Sequence, residues 1–148
     1  MKALSLIQPW ASLVTLGAKR IETRSWQTRY RGPLAIHASK GFPSDCRKLV
    51  GQAPFYECLG ARTATELPLG AVLGVVWLTE CLPTDQLEPG EPEKFFGDFT
   101  PGRFGWFFEQ TILTFNPRPV SGARGLWDWE PPGDMKTTIE QVTRRLSP

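Results

Sequence analysis

The sequence predicts an α+β fold, in the form of a small, partly closed β-barrel with short helices on its outside. Several short apolar runs bounded by glycine and proline have the character of strands, and two or three short runs have helical spacing. Strands and helices do not alternate regularly, which argues against a parallel doubly wound sheet. The length of 148 residues fits a single domain over 1–148, with a core over about 3–130.

The first half of the chain predicts three strands and two helices. The first helix begins near Pro9, where a missing N–H group costs nothing, and it ends at Gly17. The second helix is interrupted by Gly51 and Pro54. In chain order, the expected elements are a strand over 3–7, a helix over 9–17, strands over 21–26 and 34–38, and a helix over roughly 45–59.

The second half of the chain predicts three strands and a C-terminal helix. Residues 69–78 form a long apolar run and are the strongest strand candidate. Residues 83–93 contain three prolines and four acids, which is typical of a mobile loop. Further strands are expected over 104–115 and 124–129, followed by a helix over about 134–147.

The charges are distributed unevenly along the chain, although the formal net charge is only +2. Residues 1–48 hold nine basic and two acidic side chains, whereas residues 57–98 hold eight acidic and two basic ones. A basic segment in a near-neutral protein suits a phosphate-bearing partner such as nucleic acid. The alternative interpretation is a solvated surface that happens to be rich in arginine.

The composition also restricts the compartment and the chemistry. The three cysteines lie far apart, so neither a disulfide framework nor a zinc ribbon is expected, and free thiols suit the cytoplasm. No run approaches the roughly 20 apolar residues of a membrane helix, so no membrane partner is expected. The chain contains no Walker loop, dinucleotide-binding glycine motif or serine-hydrolase elbow, and His37 is its single histidine. We therefore expect no cofactor and no metal.

The segment over residues 17–26 carries the clearest functional signal. Strand alternation places Glu22, Arg24 and Trp26 on one face, while Lys19 lies in the preceding turn. A carboxylate and a cation on an inward face must pair with each other or with a ligand. A nucleobase fits this set, because it can stack on Trp26 and form hydrogen bonds at its edge with Glu22 or Arg24.

The spacing Gly17-x-Lys19-x-x-Glu22-x-Arg24 resembles the signature of ASCH domains, a branch of the PUA-like superfamily. Other blocks that resemble the family occur in the expected order at 8–13, 24–26, 31–34, 102–106 and 125–128, so the resemblance covers roughly residues 3–130. It implies a PUA-like small mixed β-barrel flanked by short α-helices, with a cleft lined by the signature residues. It also implies RNA or DNA as the ligand.

The same resemblance implies an alternative activity, because some ASCH proteins are hydrolases that act on acetylcytidine or RNA. In the deacetylases a lysine is paired with a threonine three residues further on. Lys19 matches that lysine, but Glu22 occupies the threonine position. This departure weakens the deacetylase interpretation.

The candidate site residues come from the signature, from neighbouring basic positions and from the aromatic blocks. Each has a structural alternative: Glu22 can form an ion pair with Arg24, and Trp26 or His37 can belong to the core. The candidate nucleic-acid-binding residues are Lys19, Glu22, Arg24, Trp26, Arg29, Arg31, His37, Lys40, Arg103 and Trp106.

Three classes of function remain open at this point. The first is a nucleic-acid-binding module, most consistent with RNA, that holds the phosphate backbone on a basic surface and one base in a cleft. The second is a metal-independent hydrolase of RNA or a modified nucleoside, with Lys19 and Glu22 as its catalytic pair. The third is a protein-interaction domain that uses the acidic, proline-rich residues 83–99.

Overall fold

The protein is described by a computed structural model that covers residues 1–147, the side chain of Gln110 excepted. Its centre is a six-stranded sheet in the order β2-β5-β4-β3-β1-β6, curled into a half-barrel with short helices around it. The strands are β1 (Lys2–Leu6), β2 (Ile21–Arg24), β3 (Gly32–Ala38), β4 (Ala71–Pro83), β5 (Phe104–Pro119) and β6 (Leu126–Asp128). The α+β, barrel-like fold predicted from the sequence is confirmed.

Four α-helices accompany the sheet in the part of the chain that is described. They are α1 (Trp10–Thr15), α2 (Ser44–Leu49), α3 (Phe55–Cys58) and α4 (Gly133–Leu146). Single 3₁₀ turns lie at Ala64–Glu66, Thr84–Gln86 and Glu93–Phe95. None of these helices is long and apolar enough to span a bilayer.

The two longest strands give the sheet its curvature. β4 and β5 pair antiparallel over most of their length, and their register shifts several times between Val72 and Glu80. β-Bulges of this kind bend the strand and increase its twist. The β1–β3 pair is parallel, whereas the other neighbouring strands run antiparallel.

Several elements differ from the ranges expected from the sequence, among them β5, which was expected over 104–115 and continues to Pro119. The strand expected to end at residue 78 continues to Pro83, because residues 80–83 pair with residues 104–107 of β5. The helix expected over roughly 45–59 is divided into α2 and α3, with Gly51 and Pro54 in the break. Proline lacks a backbone donor, and glycine is entropically costly in a helix, so both favour interruption.

The acidic segment over 83–99 is more closely packed than a free loop. It contains two 3₁₀ turns, and the side chains of Thr84 and Phe96 are buried. Phe96 belongs to a core cluster with Leu13 and Phe55, beside α1 and α3. The burial of Phe96 therefore brings residues 93–98, here called the wall segment, against the start of β2.

The curl of the sheet also depends on a close backbone approach at Gly74. A Cβ atom at this position would lie 2.6 Å from the carbonyl oxygen of Leu113 on the neighbouring strand. The Leu113 carbonyl belongs to the backbone of a paired strand, so it cannot move aside as the end of a flexible side chain can. A side chain at position 74 therefore requires the paired strands to separate.

We predict that Gly74→Ala lowers the free energy of unfolding by about 1–3 kcal/mol, as overpacking of a core does. The matched control is Gly41→Ala, since a Cβ atom there meets nothing within 4 Å. Urea denaturation followed by far-UV circular dichroism measures both changes. Equal unfolding midpoints for the two variants would contradict the close approach at Gly74.

Candidate nucleic-acid interface

A cleft of about 730 Å³ opens where the end of β2 meets α1, the wall segment and the loop over 123–125. Its polar lining includes Glu22, Arg24 and Asp98, and its apolar lining includes Trp10 and Trp26. This cavity, here called the main cleft, falls within the range of roughly 300–1,000 Å³ that small-molecule sites occupy.

The turn between α1 and β2 directs Lys19 into the protein interior. α1 ends at Gly17, whose φ of +81° is rarely adopted by other residues. The backbone N–H groups of Ala18 and Lys19 both donate to the carbonyl of Leu13, at 3.0 and 2.9 Å. This tight reversal explains why a residue that the sequence places in a turn has a fully buried side chain.

The buried Lys19 ammonium joins three parts of the cleft. It donates to the carbonyl of Ile21 at 2.6 Å and to the carbonyl of Phe96 in the wall segment. It also lies 3.5 Å from the Glu22 carboxylate. Burial lowers the pKa of Lys19 below its usual value, and this effect is opposed by the charges of Glu22 and Glu93.

Glu22 and Arg24 form the charged edge of the main cleft. Their side chains form an ion pair of 3.2 Å, and the Glu22 side chain is 10% exposed whereas that of Arg24 is 25% exposed. Glu22 also accepts a hydrogen bond from the backbone N–H of Thr23 at 3.1 Å. Because several partners hold the Glu22 carboxylate, it is a fixed acceptor rather than a mobile one.

Trp26 forms an aromatic wall of the same cleft. Its ring meets Trp106 edge to face, with 4.7 Å between the ring centroids. The Trp106 indole N–H donates to the carbonyl of Trp26 at 3.2 Å, which holds the backbone in place. The guanidinium of Arg24 lies 5.8 Å from the centre of the Trp26 ring. Trp26 is half-buried and lines the cleft, while Trp106 supports it from behind.

The wall segment is attached to β2 and its flanks by polar contacts besides the one from Lys19. The backbone N–H of Asp98 donates to the Thr23 hydroxyl at 2.9 Å, and Arg103 Nε donates to the Asp98 carbonyl at 3.1 Å. Glu93 Oε1 accepts from the backbone N–H of Arg20 at 2.6 Å. Burial raises the pKa of Glu93.

A second cavity of about 710 Å³, here called the side cavity, adjoins the main cleft. Both cavities are lined by Ser5, Ser39, Ala123 and Arg124. His37 and Lys40 line the side cavity, together with the loop over 119–124. The two cavities therefore adjoin along these residues, and together they are here called the trough.

The structure distributes the residues predicted for the site over four positions. Glu22, Arg24 and Trp26 line the main cleft, and His37 and Lys40 line the side cavity. Lys19, Arg103 and Trp106 support the main cleft from behind. Arg29 and Arg31 line neither cavity, and Arg31 is paired with Glu80 at 2.9 Å.

Two parts of the chain that line the trough, the wall segment and Arg124, are not among the site residues predicted from the sequence. The sequence predicts a mobile loop over 83–93 and an acidic, proline-rich segment over 83–99 that contains the wall segment, and it predicts a strand that begins at Arg124. A signal was present for the first, because the aromatic pair Phe95 and Phe96 interrupts an acidic run. For Arg124 the signal was its position immediately before the block at 125–128.

The part of the chain that is described contains no group of three or more His, Cys, Asp or Glu residues able to hold a metal ion. The three cysteines are free thiols. The polar groups that line the trough include the carboxylates of Glu22 and Asp98, the cations of Arg24, Lys40 and Arg124, and serine hydroxyls.

We predict that Lys19→Met lowers the free energy of unfolding by about 3–5 kcal/mol, because it leaves the carbonyls of Ile21 and Phe96 without this donor and removes one of the two cations beside the buried Glu22 carboxylate. The control is Lys94→Met, which removes an exposed ion pair with Glu91 and should cost no more than about 1 kcal/mol. Urea denaturation compares the two. A Lys19 variant as stable as the Lys94 variant would show that the buried ammonium does not hold the cleft together.

We predict that the stability of the wild type falls with rising pH relative to Glu93→Gln, from pH 4.5 upward. The folded state has the raised pKa, so in this window it binds more protons than the unfolded state, and deprotonation costs stability. Unfolding midpoints across pH 4–8 measure the difference. The control is Glu91→Gln, which removes a largely exposed carboxylate of the same segment. Parallel pH profiles for wild type and Glu93→Gln would refute the prediction.

Three comparisons relate this geometry to known proteins. The family model described as "ASCH domain" matches residues 4–118. Activating signal cointegrator 1 of Mus musculus and that of Homo sapiens are each 39% identical to this chain over 92 residues. That alignment covers 61% of this chain and 16% of each cointegrator, so the chain spans about one sixth of the length of these relatives.

A solved structure agrees in fold over nearly the whole chain. The crystal structure of ASCH from Zymomonas mobilis matches with a TM-score of 0.52 and 11% sequence identity, covering 96% of this chain and 94% of that one. The match of the family model over most of the chain, together with the common fold, shows that this protein belongs to the ASCH domain family, PUA-like modules commonly linked to nucleic-acid binding.

Proposed function

We propose that this protein is an RNA-binding module that takes one unpaired base into the main cleft and holds the phosphate backbone with basic side chains around it. The observation that carries the proposal is the arrangement of Trp26 beside the fixed Glu22–Arg24 pair. This arrangement combines a π-face with a hydrogen-bond acceptor and a donor in one cavity. A nucleobase needs these same groups for stacking and for recognition at its edge.

The main cleft favours binding of a single-stranded RNA segment over binding of a duplex. A base must leave its stack before its face can meet the Trp26 ring at the cleft wall. Stacking of a base on an aromatic side chain is worth about 1–3 kcal/mol, which offsets part of the cost of unstacking. The buried Trp106 keeps the Trp26 ring in place, so little side-chain order has to be gained on binding.

The basic groups around the trough supply the contact with phosphate. Arg24, Lys40 and Arg124 line the two cavities, where the opposing carboxylates are Glu22 and Asp98. Asp98 lies 3.6 Å from Arg103, which offsets its charge. Arg29 is exposed close to β2 in the sequence and can extend the contact. Binding through such groups weakens steeply with salt, because counterions are released from the nucleic acid.

The placement of Lys19 favours binding over hydrolysis. A catalytic Lys19–Glu22 pair would need the ammonium to reach the substrate, but its side chain is fully buried and directed at two backbone carbonyls and Glu22. The alternative function is metal-independent hydrolysis of RNA or of a modified nucleoside such as acetylcytidine. Cleavage of RNA can be detected in the binding experiment described below. Denaturing gels of the bound RNA, run in the presence of chelator, detect such cleavage.

We predict that Trp26→Ala and Arg24→Ala each weaken RNA binding by about 10-fold at low salt, through the loss of stacking and of an edge or phosphate contact. The ligand is a labelled RNA hairpin with single-stranded flanks, measured by fluorescence anisotropy across salt concentrations. Arg145→Ala is the matched control for charge, because it removes an exposed arginine of α4, none of whose residues lines the trough. Glu88→Ala in the acidic segment is a second control.

The outcomes of this experiment separate the functions under consideration. Salt-sensitive binding of intact RNA that depends on Trp26 and Arg24 supports the module. Equal losses in the two cleft variants and in the Arg145 control would reduce the interaction to general charge attraction and overturn the base cleft. Cleaved RNA would identify a nuclease, and no binding at low salt would exclude polymeric RNA as the partner.

A further inference from the structure

We infer that the minimal ligand is a single-stranded dinucleotide, with one base in the main cleft and the sugar-phosphate of the adjoining nucleotide in the side cavity. This inference rests on the proposed function and deepens it, because it states how much of the strand the protein holds. A site for a free nucleoside would end at the main cleft. The side cavity of about 710 Å³ lies next to the main cleft and offers room for part of a second nucleotide.

The two cavities meet at Arg124. Arg124 lines both of them, and so does Ser5 on β1 below. A strand that leaves the main cleft by this route passes the Arg124 side chain, where the linking phosphate meets a guanidinium. Guanidinium groups bind phosphate oxygens in bidentate geometry, which suits a linking position.

The cations of the side cavity lack partners within the protein. Neither Lys40 nor Arg124 forms a hydrogen bond or ion pair with the described side chains of residues 1–147. Some exposed cations elsewhere are paired, as Lys136 is with Glu130 at 3.0 Å, whereas Arg29, Lys48 and Arg145 also have no partner among the described side chains, so what distinguishes Lys40 and Arg124 is that they line a cavity. The positive charge next to the trough is therefore available to an anionic ligand.

The floor of the side cavity is fixed by a chain of hydrogen bonds. The Trp127 indole N–H donates to Ser5 Oγ at 3.1 Å, and His37 Nε2–H donates to the carbonyl of Val120 at 2.8 Å. Because the carbonyl only accepts, Nε2 carries a proton, and Nδ1 shares a hydrogen bond of 2.9 Å with the Ser5 hydroxyl. His37 thus anchors the start of the loop that carries Arg124, and acts as a positioning residue.

The same loop packs directly onto this floor at Gly122. A Cβ atom there would lie 2.5 Å from Ser5 Oγ and 2.7 Å from the His37 ring. The loop is thereby held close to the floor from Val120 to Gly122, two residues before Arg124. The backbone next to Arg124 is therefore ordered before a ligand binds, which lowers the entropic cost of binding.

The chemistry of the side cavity suits ribose and phosphate better than a second base. Among its described lining residues no Trp, Tyr or Phe occurs, and the His37 ring is 2% exposed, so no aromatic face is available for stacking. Hydroxyl groups of Ser39 and Ser121 and the Lys40 ammonium are present instead. These groups contact sugar and phosphate oxygens without reading sequence.

The test compares ligands of increasing length as competitors of the labelled RNA hairpin. The competitors are the four ribonucleosides, their 5′- and 3′-monophosphates, and the sixteen ribodinucleoside monophosphates. We expect the best dinucleotide to compete about 10-fold better than the best nucleoside or monophosphate, since a second attached contact adds affinity without a new association event.

The variant Lys40→Ala tests whether the side cavity is responsible for the better competition by the best dinucleotide. Lys40 lines the side cavity and not the main cleft, so its removal should reduce the gain to below about 3-fold and leave nucleoside competition unchanged. Lys48→Ala is the matched control, because Lys48 is an exposed lysine of α2 that lines neither cavity. In the Lys48→Ala variant, the best dinucleotide should still compete about 10-fold better than the best nucleoside.

The failures of this inference and of the proposed function are distinguishable. If the hairpin binds but dinucleotides compete no better than nucleosides, the inference is overturned while the RNA-binding function stands. If a monophosphate competes as well as any dinucleotide, the side cavity takes a terminal phosphate and the dinucleotide inference is again overturned. If the hairpin itself does not bind at low salt, the proposed function fails first.

Discussion

The buried ammonium of Lys19 is the interaction on which the main cleft depends. It binds the carbonyl of Ile21 at the start of β2, the carboxylate of Glu22 and the carbonyl of Phe96, which lies 77 residues away in sequence. An unpaired charge in such a place would be costly, so the group is stable only while these acceptors surround it. Lys19 thereby links the strand that carries the charged edge to the segment that forms the opposite wall. Lys19 therefore holds the main cleft together from within, because its ammonium contacts backbone carbonyls and Glu22 and does not line the cavity.

The rest of the site follows from the curl of the sheet and from two loops attached to it. The β2–β5 pair positions Glu22 directly opposite Trp106, which places the buried indole behind Trp26. At the other side, the parallel pairing of β1 with β3 aligns Ser5 with His37 and so creates the floor of the side cavity. Both loops are held at their bases by hydrogen bonds to buried or half-buried groups. The floor of the trough is consequently fixed by hydrogen bonds, while Lys40 and Arg124 are exposed at its surface.

Much of the secondary structure could be predicted, because strands and helices in this chain have strong local signals. Alternation in β2, the apolar run of β4 and the glycine at the end of α1 each depend on neighbouring residues alone. The predictions that failed depended on contacts with distant parts of the chain. β4 extends through residues 79–83 because β5 offers a partner there, and no property of these residues by themselves shows it. The sequence predicts a loop over 83–99, mobile over 83–93, whereas residues 93–98 are anchored by the burial of Phe96 in a cluster built by α1 and α3.

The sequence by itself determined the family, the mixed α+β architecture and the set Glu22, Arg24 and Trp26 as a face of one strand, since spacing along a strand decides which side chains lie together. The tertiary structure decided the burial of Lys19, the meeting of residues 93–98 with β2, and the joining of the main cleft to the side cavity through Arg124. These features depend on contacts between segments 70 to 120 residues apart. Their positions are set by the packing of the whole sheet, which no local pattern encodes, and for this reason the extent of the trough became visible only in the folded chain.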